Sequence, residues 1–176
     1  MLEAVQLSAG RAQAWGEHAD QVAINIGDLA DQGRLEEARN VFDRVLTAAA
    51  AAADAESMAA EKACTALRRR VDSLEAALAS AQSLLALAAH PACGFEMDWV
   101  ARMTARVALA SRTAFDVRDQ IYEAGTLAVS AAAHAVGAIV AQDLAQDGIH
   151  QAESADQAYL LEVMVRTQAR RSDGSI

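Results

Sequence analysis

The chain has 176 residues, a formal net charge of -9, 53% hydrophobic residues and only 4% aromatic ones, which suits one domain whose core is made of small side chains. The acidic balance disfavours a phosphate backbone as partner, because nucleic-acid affinity rests on Lys and Arg neutralising it, so no nucleic acid is expected. One proline and the lack of strand-like alternation exclude a β architecture, and the expected fold class is all-α, an up-down helical bundle. Arg68, Arg69 and Arg70, and again Arg166, Arg170 and Arg171, read as a solvated helix face and a helix C-terminus favoured by the macrodipole.

Leu2 to Asp31 forms the first predicted helix, with Val5, Ala12, Trp15, Ala19, Val22, Ile26 and Leu29 at heptad positions and Ser8 as a polar interruption. Gly33 closes it with a left-handed C′ residue. A second helix starts at Arg34 and carries Leu35, Ala38, Phe42, Val45, Ala49 and Ala52 in register, so it packs back on the first. The string GRLEEARNVFDRVL resembles the turn and second helix of a tetratricopeptide repeat, with Gly33, Ala38 and Phe42 at its small and aromatic positions. No second copy follows at the required period, so a generic helical hairpin is expected.

Six alanines, Ala48 to Ala53, lead to a slip of one residue, after which the stripe falls on Ala60, Cys64, Leu67, Val71, Leu74, Leu78, Ala81, Leu85 and Ala88. The slip is expected near Asp54, absorbed within one helix from Arg34 to Ala89, about 80 Å long. The string HPACG, His90 to Gly94, then reverses the chain. A third helix starts near Phe95 and carries Val100, Met103, Val107, Ala110, Ala114, Val117, Ile121, Ala124 and Ala128 as a matching seam. Ala124 to Ala141 holds no Asp, Glu, Lys or Arg, and Leu127, Val129, Val136, Ile139 and Val140 ring it. Such a helix lies in the middle of a bundle or in a membrane. A membrane span is disfavoured because the stretch is short and mostly alanine, with two glycines, Ser130 and His134. Gly148 is expected to end this helix, and a fourth runs from Ile149 to about Arg170 with Ala152, Ala155, Tyr159 and Val163.

These elements predict a single helical domain over residues 1–171. Its bundle comprises 1–60 and 125–171, a coiled-coil-like hairpin arm over 61–124 turns at 90–94, and 172–176 forms a disordered tail. The arm leaves apolar surface uncovered, so a homodimer is expected with Leu74, Leu78, Leu84, Met103 and Val107 near the contact.

The chemistry-bearing residues are sparse. A dinuclear metal bundle needs Glu-x-x-His motifs on facing helices, and the nearest arrangements are Glu17 beside His18 and His150 before Glu153. His90 and Cys93, with Glu96 or Asp98, supply part of a zinc ligand set that a second chain would have to complete. His134 reads as a hydrogen-bonded core histidine, with metal ligation as the alternative. No Ser/His/Asp set and no glycine-rich loop after a strand is present, so an enzyme is unsupported without being excluded, and no cofactor is expected. Cys64 and Cys93 lie too far apart along the helix to bridge, and the N-terminus Met1, Leu2, Glu3 lacks the basic and apolar regions of a leader. Reduced thiols and a cytoplasmic location are expected. The functional expectation is a non-enzymatic bundle acting through self-association and protein–protein contact, as an adaptor, chaperone, immunity protein or structural component. The alternative is a small-ligand or metal-binding bundle.

Overall fold

The computed structural model describes the backbone of residues 1–173 and the side chains of residues 1–168. The order is α1 (Leu2–Asp31), α2 (Leu35–Val41), a π-helical turn (Phe42–Leu46), α3 (Thr47–Ala88), a 3-10 turn (Pro91–Cys93) and α4 (Met97–Asp173). The fold is all-α, and no strand occurs among the described residues. It divides into two compact units, one made of Met1–Gly10 with Glu56–Ala131, the other of Arg11–Ala55 with Ala132–Ile176.

In the first unit α3 and α4 run antiparallel. Gln82 Nε2 donates to Ser111 Oγ at 3.4 Å, and Arg118 meets Glu75 at 4.0 Å, keeping the same register. The start of α1 lies along them, with Gln6 Nε2 donating to Glu123 Oε1 at 3.1 Å. Val5, Ala9, Ala60, Cys64, Leu67, Val71, Ala114 and Ala124 are buried here. Past Val71 only two helices remain to cover the seam. Leu74 is accordingly exposed, and Leu78, Ala81, Leu85 and Ala88 are half-buried. At the reversal His90 is extended and its Nδ1 accepts from the Ala92 N–H at 3.3 Å, while Gly94 takes φ 68°. Phe95 stacks on Trp99 with ring centroids 5.0 Å apart.

The core of the second unit gathers Ala19, Val22, Ile26 and Leu29 of α1, Leu46, Ala49, Ala50 and Ala53 around the start of α3, and Ala135, Ala138, Ala145 and Ile149 of α4. Small residues set the helix spacing. A Cβ added to Gly16 would stand 3.0 Å from the His134 carbonyl oxygen and 3.1 Å from its Cβ. The α1–α2 connection is a Schellman-type closure: Gly33 has φ 73°, and the Arg34 N–H donates to the Leu29 carbonyl at 2.9 Å. Arg34 then clamps Glu37 with two guanidinium nitrogens, which holds the Glu37 carboxyl below its ordinary value.

Three expectations need correction. The inserted residue is not near Asp54: the π turn at Phe42–Leu46 absorbs it. Ala38 and Leu46 are both buried eight positions apart, one more than two α-helical turns allow, and the wider turn restores their common face. Val45, expected in the stripe, is therefore exposed. Second, Gly148 does not end a helix, because α4 is one helix of 77 residues. It lacks the positive φ of a helix-ending glycine, and the buried stripe Ala138, Ala141, Ala145, Ile149 crosses it without a slip. Third, the charge-free part of α4 is not buried all round. No fourth helix folds back, so Val129, Val136, Ile139 and Val140 are exposed. Of the expected tail, Ser172 and Asp173 continue α4, and 174–176 lie outside the described residues.

Candidate functional site

The described surface offers apolar faces in place of a polar cleft. α1, with its first ten residues in the first unit, leaves uncovered a groove between α3 and α4. Glu61, Cys64, Thr65 and Arg68 of α3 form one wall, and Phe115, Arg118, Asp119, Ile121, Tyr122, Gly125, Thr126, Ala128 and Val129 of α4 form the other. Its volume is about 1040 Å³. Helical geometry places Cys64, Ile121, Gly125 and Ala128 towards the α3–α4 contact, so they make an apolar floor of mostly small residues. Phe115, Tyr122 and Val129 stand on its edge, with Tyr122 82% exposed.

A second groove, of about 540 Å³, lies in the other unit between Asp20, Ala23, Ile24 and Gly27 of α1 and Gly137, Val140, Ala141, Leu144, Ala145 and Gly148 of α4. Gly27, Gly137 and Gly148 have open space where a Cβ would stand, so the glycines hollow this face while Ile24, Val140 and Leu144 rise beside it.

The third feature is the last part of α4. Every described side chain from Ser154 to Gln168 is exposed, including Tyr159, Leu160, Leu161, Val163, Met164 and Val165. At 100° per residue these six cover roughly two thirds of the helix circumference. The remaining strip holds Glu162 and Arg166, which pair with each other at 2.5 Å.

The candidate ligands are scattered. Among the described residues no three of His, Cys, Asp and Glu converge as a metal site. His90 is engaged by the Ala92 N–H, and Cys93 is exposed at the same turn. His134 is half-buried beside Gly16 and not a fully buried core residue. Glu153 forms an ion pair with Arg39, and His150 with Glu153 joins Asp43, Phe42 and Ile149 around a hollow of about 310 Å³ at the π turn. Trp15, not Glu17, is the neighbour of the His18 ring, edge-on at 5.9 Å. Of the expected interface residues, Leu74 and Leu84 are exposed, while Leu78, Met103 and Val107 are half-buried in the α3–α4 hairpin.

Compared with known proteins, the chain matches no family model, no curated protein and no solved structure. The site residues that sequence reasoning missed are those of the groove wall, Phe115, Tyr122 and Val129, and of the last turns of α4, Leu160, Leu161, Met164 and Val165. A usable signal was present in the string YLLEVMV, Tyr159 to Val165, whose apolar arc is too wide for one neighbouring helix.

Proposed function

We propose that this protein is a non-enzymatic helical bundle that works by self-association and protein–protein contact, with a homodimer as its basic form. The observation that carries the reading is the uncovered end of α4, where six large apolar side chains in seven consecutive positions are 42–66% exposed. Contiguous apolar surface of this kind marks a protein–protein or membrane interaction site or an aggregation liability. The free thiols of Cys64 and Cys93 support a reducing, cytoplasmic setting. The arm contact through Leu74 and Leu84 has less apolar surface to offer, because its other three members are partly covered within their own chain.

One stretch of α4 is long and apolar enough to cross a membrane, and 28% of it is buried in the protein. A membrane role therefore makes a distinct outcome. Sedimentation equilibrium of the full chain at micromolar to tens of micromolar, with a parallel vesicle cosedimentation, tests the reading. A concentration-dependent mass reaching twice the chain mass, with no vesicle binding, is the expected result. A monomer throughout, or a monomer that binds neutral vesicles, overturns it.

A further inference from the structure

We propose that the groove between α3 and α4, lined by Cys64, Arg68, Phe115, Tyr122 and Val129, is the docking site for the last part of α4, Ser154–Gln168, of a second copy of this chain. The inference rests on the self-association reading and names the surfaces that meet. The middle of the segment, Tyr159–Val165, is apolar over roughly two thirds of its circumference, so a single neighbouring helix covers only part of it. A groove walled by two helices covers that arc from both sides. The polar strip fixes the rotation: with Glu162 and Arg166 towards water, Leu160 and Met164 point into the groove and Leu161 and Val163 meet its walls.

The dimensions agree. The apolar part of the segment, Tyr159–Val165, is about 10 Å long at 1.5 Å per residue and fits along the α4 wall of the groove, which runs from Phe115 to Val129. The floor beside Gly125 and Ala128 is low enough for a helix to approach closely, and the edges raised by Phe115, Tyr122 and Val129 flank it.

The area is sufficient as well. Aromatic side chains bury about 150–250 Å² each and aliphatic ones less. Six from the segment and three from the groove edge then bring one contact to on the order of 1,000 Å². That is about the area a specific interface needs.

Two measurements on the full chain test the proposal. In the first, Leu160→Glu/Met164→Glu is compared with the unaltered protein by sedimentation, with circular dichroism confirming unchanged helicity; both side chains are exposed in the single chain. At least tenfold weaker association is expected. In the second, a Cys64→Ala/Cys93→Ser background carrying Tyr122→Cys is mixed with the same background carrying Met164→Cys, and oxidised. A disulfide-linked heterodimer is expected, with none when Leu84→Cys replaces Tyr122→Cys. If the unaltered protein is a dimer, yet the Glu variant associates as tightly or the Tyr122–Met164 cross-link fails to form, the docking site is wrong and self-association stands. If the unaltered protein is monomeric, both readings fall together.

Discussion

At Gly16 a missing side chain sets the distance between two helices. A Cβ there would meet the backbone carbonyl oxygen of His134 at 3.0 Å, and a backbone atom cannot swing aside as a flexible side chain can. Gly16→Leu should therefore lower stability by about 1–3 kcal/mol through overpacking. Gly10→Ala, in the same helix with open space around it, should gain up to about 1 kcal/mol from helix propensity. Urea unfolding of the two variants checks the contrast. Glu37 supports a second prediction at this scale. Its carboxyl is held below the ordinary value of 4.5, first by the hydrogen bond from Arg34 and then by their opposite charges. A lowered folded pKa means the interaction stabilises at neutral pH and is lost as pH falls through that folded value. NMR should place the Glu37 titration lower in the unaltered chain than in Arg34→Ala, and equal values in the two would sink the clamp.

Among the elements, the π turn at Phe42–Leu46 makes a sharp prediction about deletion. Removing Arg44 leaves Ala38 and Leu46 seven positions apart, which two turns of α-helix satisfy, so the chain should fold with an unbroken α2–α3 helix and a melting temperature changed by a few degrees. Removing Ala66, an exposed residue between buried Cys64 and Leu67, rotates every buried position on one side by about 100°. That deletion should unfold the first unit, seen as lost cooperativity in thermal denaturation. The alanine seam of α4 adds a simpler test. Ala135→Leu should cost about 1–3 kcal/mol, whereas Ala76→Leu should be nearly neutral, because Ala135 is buried and Ala76 exposed.

The same elements show what the sequence makes legible. The stripes of α1, α3 and α4 and the reversal at His90–Gly94 were plain, because large apolar residues or Pro91 mark them. The one-residue slip was visible too, but Ala48 to Ala53 offers no amphipathic contrast to locate it. Gly148 was misleading since glycine ends helices by adopting positive φ, and a glycine that stays helical looks the same in one dimension. That error carried the burial error with it. A fourth helix folding back would have covered Val136 and Val140, and without it they face outward. The groove is not legible in the sequence because its walls come from residues far apart in the chain.

On the scale of the whole molecule, apolar surface and charge act against each other. In the proposed dimer a net charge of -9 per chain resists the meeting of two copies, while their apolar faces favour it. Burial of this kind is entropic near room temperature and weakens on cooling. Association should accordingly be tighter at 25 °C than at 4 °C, measured by sedimentation equilibrium at fixed protein concentration. Tighter association in the cold would point to polar contacts as the main attraction.

Both compact units are discontinuous in sequence, Arg11–Ala55 being completed by residues that begin at Ala132. During synthesis the first piece leaves the ribosome several seconds before its complement, at about 5–20 residues per second. Through that interval Ile26, Leu29 and Leu46, all buried in the finished core, have no α4 to rest on. A nascent chain halted near Ala131 should hold its α1–α2 hairpin open to protease and to chaperones that recognise bare apolar helices. Protection should come late and abruptly, as the middle third of α4, with Ala135, Ala138, Ala145 and Ile149, emerges.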